Sequence, residues 1–205
     1  MSEPTLMVVA GCNGSGKSSF SKLLVPFQFQ PFDYDIHYLN YYRFLFDSDI
    51  RDIMAHNMAF AELERDIAYS LAHKGNFCYE TNFNSTPLYW PEIFKNHGYK
   101  LHLIYLCMES LAEAKRRVAI RVNNGGHHVP DAEIENRYYE GFKNFNAHHR
   151  YFDIIDIFDT SRYAKEPQYL LSIENGTITA QAQIPPYLLK LCPSLNDLDK
   201  TQFPF

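Results

Sequence analysis

The stretch Gly11-Cys12-Asn13-Gly14-Ser15-Gly16-Lys17-Ser18 constrains this chain more than any other. It fits the phosphate-binding loop pattern G-x-x-x-x-G-K-[ST] without a mismatch. Its flanks agree with that pattern. Leu6 to Ala10 is a short continuous apolar run, as a strand buried on both faces requires, and Ser18 to Val25 can begin a helix. Strand, glycine-rich turn and helix start together aim backbone N–H groups and the positive end of a helix dipole at one point, which suits a polyphosphate. Gly11, Asn13, Gly14, Ser15, Gly16, Lys17, Ser18 and Ser19 are then the nucleotide-binding set. Lys17 reaches the β- and γ-phosphates, and the Ser18 hydroxyl holds Mg²⁺.

With 205 residues, the chain has room for one α/β domain with a sizeable core. A net charge of −5 argues against a nucleic-acid partner, because phosphate contacts need clustered Lys and Arg. No apolar run reaches the length of a membrane span, and the N-terminus lacks a basic stretch followed by an apolar one, so a cytoplasmic protein is expected. Cys12, Cys78, Cys107 and Cys192 are far apart with no C-x-x-C pair, and they read as reduced thiols.

Taken in order, strand-like and helix-like stretches alternate. Phe27 to Asp33 reads as an aromatic second strand, its regularity limited by Pro26 and Pro31. A long helix is expected from Asp49 to about His73, where Gly75 ends it. Phe77 to Tyr79 follows as a buried strand. Thr86-Pro87 opens a helix that closes at His97-Gly98, and Leu101 to Cys107 is another good strand. Leu111, Lys115, Val118 and Val122 have helical spacing up to Gly125-Gly126. Pro130-Asp131 starts a helix in which Ile134, Tyr138, Phe142 and Phe145 share a face. Phe152 to Phe158 is the last core strand. This alternation indicates an α/β fold with a parallel sheet and helices on both faces, the P-loop NTPase architecture. Beyond Thr160 the pattern changes, and Glu174-Asn175-Gly176 between two alternating runs marks a β-hairpin that extends or caps a sheet edge. Residues 1–160 are therefore read as the core, and 161–205 as a hairpin and tail packed on it.

If the bound triphosphate donates a phosphoryl group to an alcohol, a carboxylate must orient the acceptor and take its proton. Asp33-Tyr34-Asp35 stands where the second strand should end, on the side of a parallel sheet where ligands bind. Alternation puts Asp33 and Asp35 on the same side if the strand persists, one serving as base and the other capping the next helix, with Asp35 preferred as base. Glu80 and Thr81, just after the next strand, could contact the acceptor, and Glu80 could instead position Mg²⁺ through water. Arg117 and Arg121 are four apart and share a helix face ahead of Asn123-Asn124-Gly125-Gly126-His127-His128, a segment able to act as a lid. Arginines there, with Arg137 further on, can stabilise charge on a transferring phosphoryl group. His127 reads as a lid residue near the phosphates. The adjacent pairs His127-His128 and His148-His149 do not make a zinc site, since neighbours on a helix point to different faces. Tyr34, Tyr38, Tyr41 and Tyr42 could form an aromatic acceptor pocket.

The Gly11 to Ser18 loop, Asp35, Tyr79-Glu80-Thr81, Arg117 through Gly125-Gly126-His127 to Val129-Pro130, and Arg137-Tyr138 together resemble the zeta-toxin family. The closest likeness is to the branch often labelled as predicted ABC-type ATPases, although no Leu-Ser-Gly-Gly-Gln signature occurs here. The resemblance spans about residues 5 to 160 and implies a P-loop kinase acting on a small molecule. Characterised zeta toxins phosphorylate UDP-N-acetyl amino sugars. By carry-over, Lys17 contacts the transferred phosphate, Asp35 is the base, Glu80 and Thr81 touch the acceptor, and Arg117 stabilises charge, with Arg121 and Arg137 both candidates for a second such arginine. ATP with Mg²⁺ is the expected donor, since no guanine-reading Asn-Lys-x-Asp appears, and an antitoxin protein is a candidate partner. The first strand starts at about residue 5, leaving no room ahead of it for a fused inhibitory helix. A kinase for a nucleoside or an antibiotic, or a nucleotide-dependent switch without a small-molecule acceptor, are the alternative readings.

Overall fold

The computed structural model describes residues 3–126 and 128–200. The first strand, β1 (Thr5–Ala10), runs into the glycine-rich loop and then into α1 (Lys17–Leu24). Two helices follow directly, α2 (Tyr34–Phe44) and the 23-residue α3 (Arg51–His73). Then come β2 (Phe77–Thr81), α4 (Tyr89–Asn96), β3 (Lys100–Cys107), α5 (Leu111–Asn123), α6 (Asp131–His148) and β4 (Ile154–Asp159). The chain ends in β5 (Gln168–Glu174), β6 (Thr177–Gln181), α7 (Pro186–Leu191) and the two-residue β7 (Asp199–Lys200).

These strands form one seven-stranded sheet in the order β2-β1-β3-β4-β5-β6-β7. The four core strands are parallel, and β5 and β6 are added antiparallel as the hairpin the Asn-Gly turn predicts, with Asn175 at φ 48° and Gly176 at φ 80°. β1 lies at the centre of the parallel part. Leu6, Val8 and Ala10 therefore face one buried cluster while Met7 and Val9 face another, as the continuous apolar run requires. The two faces are covered unequally. α3 to α7 all contribute side chains to the larger cluster, with Ile134, Tyr138, Phe142 and Phe145 of α6 buried together. On the other face, Leu24 and the following Val25 and Phe29 cover β1, β2 and β3. Further along that face polar side chains are satisfied by one another. His102 Nε2 lies 2.7 Å from Asp156 Oδ2, and Asp156 also accepts a hydrogen bond from Ser172 Oγ.

One predicted element is nearly absent. Phe27 to Asp33 does not form a strand, and only Phe32 bridges to Tyr79, its N–H donating to the Cys78 carbonyl at 2.9 Å and its carbonyl accepting from Glu80 N–H at 3.0 Å. Both prolines lie ahead of Phe32, where they restrict the backbone, and α2 begins at Tyr34 just after it, so the pairing stays at one residue. That single bridge still sets Asp33 beside the end of β2. The chain turns at once into α2, so the alternation expected of Asp33 and Asp35 gives way to a helix start, with Asp33 as the capping residue.

Ile157 is fully buried between β3 and β5 in the larger cluster. Ile157→Ala should lower unfolding free energy by about 2–5 kcal/mol, read as a shifted midpoint at constant slope in urea titrations.

Candidate active site

The loop between β1 and α1 is shaped by close approach. A Cβ on Gly11 would lie 2.5 Å from the Leu106 carbonyl oxygen of β3, and one on Gly14 would lie 2.8 Å from the Ala114 carbonyl oxygen of α5. Real side chains do not tolerate such distances, so glycine is needed where the loop passes its neighbours. Asn13 and Ser15 are buried inside the loop, and the Ser15 hydroxyl has no hydrogen-bond partner among the described residues. Cys12 is buried as well. Desolvation raises its thiol pKa to about 11 against the opposing charge of Lys17, which keeps it protonated and inert at neutral pH.

Lys17 points into the mouth of the loop. Its Nζ donates to the carbonyls of Gly11 at 2.7 Å and Cys12 at 3.2 Å, and to Asn82 Oδ1 at 2.9 Å. Burial lowers its pKa, and the nearby Glu80 carboxylate works against that shift. Asn82 carries no motif that would have marked it. It is placed by the turn after β2, where Thr81 Oγ1 accepts from the Phe83 N–H at 3.1 Å and Phe83 adopts φ 58° while fully buried. Such a backbone conformation is costly for an aromatic residue and persists only when its surroundings over-determine it. Asn144 of α6 does so by donating to the carbonyls of Phe83 and Asn84.

Ser18 and Glu80 meet across the loop. Ser18 Oγ donates to Glu80 Oε2 at 3.0 Å, and Ser21 Oγ donates to Glu80 Oε1 at 2.7 Å. Burial raises the Glu80 pKa, the Asp33 charge raises it further, and Ser21, Lys17 and Ser18 pull it down. Asp33 accepts through Oδ1 from the N–H groups of Asp35 at 3.0 Å and Ile36 at 3.3 Å, capping α2, while its buried Oδ2 has no partner among the described residues. Two carboxylates and a hydroxyl thus converge at the helix start, an all-oxygen donor set of the kind Mg²⁺ accepts. Among the described residues no cluster of three or more His, Cys, Asp or Glu side chains is arranged to hold a metal ion.

Asp35 lies in the first turn of α2, and its Oδ2 is 3.9 Å from Arg121 NH1. Arg117, only 10% exposed, donates to Glu113 Oε1 at 2.7 Å, to the Gly14 carbonyl at 3.3 Å and to the Ser161 carbonyl at 3.0 Å, and the Tyr163 ring lies 5.5 Å from its guanidinium carbon and 4.6 Å from that of Arg116. It is therefore fixed against the phosphate-binding loop. Arg137 donates to Asn13 Oδ1 at 3.1 Å and pairs with Glu133. All three arginines line one cleft with the loop, as do Asp33, Asp35, Glu80 and Thr81. Glu113, Ser161 and Tyr163 were not legible as site residues. The capping pattern Ser110-x-x-Glu113 does mark the start of α5, and Ser110 Oγ accepts from Glu113 N–H at 3.3 Å, but the Glu113 carboxylate serves the arginines. His127 lies outside the described residues.

The cleft encloses about 1220 Å³ and continues beyond the phosphate loop. Its far half is walled by Tyr34, Tyr38 and Leu39 of α2, His56 and Phe60 of α3, and Trp90 of α4. Of the four tyrosines expected around an aromatic pocket, Tyr34 and Tyr38 line it, whereas Tyr41 turns to Glu62, donating at 2.9 Å.

No protein-family model matches the chain, and no curated protein sequence matches it. Solved structures do. One from the PezAT chromosomal toxin–antitoxin system of Streptococcus pneumoniae aligns with a TM-score of 0.59 at 15% identity over 97% of this chain. AvrRxo1-ORF1:-ORF2 with ATP aligns at 0.65, with 11% identity over 98% of this chain. A chain of the Pnkp1/Rnl/Hen1 RNA repair complex aligns at 0.54, with 17% identity over 72%. At these identities the likeness is one of fold, a mostly parallel sheet flanked by helices. The chain spans 79% of the first neighbour's length, 65% of the second's and 47% of the third's. No helix among the described residues is long and apolar enough to cross a membrane.

Hydrogen bonds from Arg116 and then Arg117 lower the Glu113 pKa to about 2, against the opposing effect of burial. A depressed carboxylate contributes stability above its unfolded value and loses it as pH falls through the folded one. The stability advantage of the wild type over Glu113→Gln should therefore be full above about pH 4.5 and fade progressively towards pH 2, measured by urea unfolding across that range.

Proposed function

We propose that this chain is an ATP-dependent kinase that transfers the γ-phosphoryl group to a hydroxyl of a small molecule. The observation that carries the reading is the meeting, in one cleft, of the phosphate-binding loop, three arginines and Asp35 at the boundary with a second, aromatic-walled half. A switch that only binds and hydrolyses nucleotide has no use for that second half. A neighbour of the same fold solved with ATP adds weight to the nucleotide-dependent part of the reading.

In this reading the backbone N–H groups of the loop and the start of α1 bind the polyphosphate, which takes over Lys17 Nζ from the carbonyls of Gly11 and Cys12. Ser18, Glu80 and Asp33 are the residues that would hold Mg²⁺, directly or through water. The metal supplies neutralising charge on the phosphate oxygens. Glu80, first expected at the acceptor, is better used here, because both its oxygens already face Ser18 and Ser21. Arg117 is held rigidly beside Gly14 and meets charge on the transferring group without reorganising. Arg137 is the matching arginine on the loop's other side, through Asn13, whereas Arg121 faces Asp35. Asp35 orients the acceptor hydroxyl and takes its proton. Thr81 shapes the acceptor side of the turn.

The acceptor suggested by the resemblance is a UDP-N-acetyl amino sugar, and a protein antitoxin in the cytoplasm is the partner that goes with it. A neighbour from a toxin–antitoxin system is consistent with that partner.

Lys17→Ala should abolish transfer. Asp35→Asn should lower kcat by about 10²–10⁴ with ATP affinity nearly unchanged, since general-base catalysis is worth that much and the residue does not touch the nucleotide. Incubation with γ-labelled ATP and a metabolite extract, followed by mass spectrometry, should give a phosphorylated small molecule. Free phosphate as the sole labelled product would overturn the kinase assignment. Glu80→Gln should raise the Mg²⁺ concentration needed for tight ATP binding, read by calorimetric titration without turnover.

A further inference from the structure

The acceptor half of the cleft contains a cation whose role the phosphoryl-transfer machinery does not explain. Arg117, Arg121 and Arg137 are each paired with a carboxylate, from Glu113, Asp35 and Glu133 respectively. Arg43 also lines the cleft, yet it makes no hydrogen bond or ion pair with any described residue. It lies on α2 in the row Asp35, Leu39, Arg43, and all three line the cleft. Eight residues of α-helix separate Asp35 from Arg43, about 12 Å along the axis. Between them the wall is aromatic. Tyr34 and Tyr38 stack on His56, and across the cleft Phe60 packs near Trp90 at 6.3 Å between ring centroids. Phe60 is 42% exposed and lines the cleft, where it offers a flat surface on which a ring can rest.

We infer that Arg43 is an anion-reading residue of the acceptor site. The acceptor is then an elongated molecule that carries its reactive hydroxyl at one end, a ring across the aromatic wall, and a phosphate or carboxylate about 12 Å from the hydroxyl. A guanidinium suits this task because its fork of donors matches either anion in a bidentate manner. A cation in the last turn of a helix also complements the carbonyl-bearing helix end, and that structural role must be separated from the binding role. The inference rests on the kinase reading, in that Asp35 marks the hydroxyl end.

The test measures binding without turnover. The donor site is filled with a non-hydrolysable ATP analogue and Mg²⁺, and three anionic probes are titrated by calorimetry beside their neutral counterparts: uridine diphosphate with uridine, ribose 5-phosphate with ribose, and glucuronate with glucose. At least one anionic probe should bind the wild type about tenfold or more tightly than its neutral partner. Which pair shows the preference distinguishes phosphate from carboxylate. Arg43→Gln should remove that preference, and Arg43→Lys should restore part of it. Both variants should keep the affinity for the ATP analogue and the thermal midpoint close to wild type. No preference in the wild type for any pair, or a preference that survives Arg43→Gln, overturns the inference. Failure of the ATP analogue to bind the wild type would instead strike the kinase reading.

Discussion

Gly11 passes the backbone of β3 so closely that no side chain fits between them, and the geometry of the cleft follows from that contact. The loop is pressed onto β3 and α5, and Gly11 N–H donates to the Thr81 carbonyl at 3.2 Å, which brings it to the end of β2 and, through the Phe32 bridge, to the start of α2. The polar residues at those ends are then forced together. Glu80 reaches Ser18 and Ser21, Asn82 reaches Lys17, and Asp33 stands near enough to Glu80 for its charge to raise the Glu80 pKa. Two buried carboxylates side by side are unfavourable in an isolated protein. A divalent cation on their oxygens would turn that repulsion into attraction, so the same arrangement that costs stability favours metal-bound nucleotide.

The strand, glycine-rich loop and helix start were legible because their residues are dictated by local backbone geometry. Gly11, Gly14, Lys17 and Ser18 occur at fixed spacing since one loop and one helix start place them all. The helices and parallel strands were legible too, from apolar spacing and from Gly and Pro punctuation. Phe27 to Asp33 misled because aromatic content resembles a strand, while the two prolines restrict pairing to Phe32. Asn82, Glu113 and Tyr163 escaped notice for a different reason. Their roles arise from contacts between elements far apart in the chain, such as Asn82 with Lys17, and no local pattern encodes a partner 65 residues away.

The acceptor half depends on a different principle. Its walls are helices α2 and α3, which pack on each other through Tyr38, Ala55 and Ala59 in a small cluster of their own. The phosphate loop belongs to the sheet, whereas the acceptor wall belongs to this helical pair. In the proposed kinase, variation in α2 and α3 would therefore change the acceptor without disturbing the phosphate loop.

The position of β1 has a consequence for how the protein is made. It leaves the ribosome before both of its neighbours in the sheet, which begin at Phe77 and Lys100. Until those residues emerge, at about 5–20 residues per second, its apolar side chains have no sheet to join. The hairpin of β5 and β6 closes over two residues and can form as soon as it is synthesised. The glycine-rich loop is thus synthesised well before the strands that shape it and settles only once they have emerged.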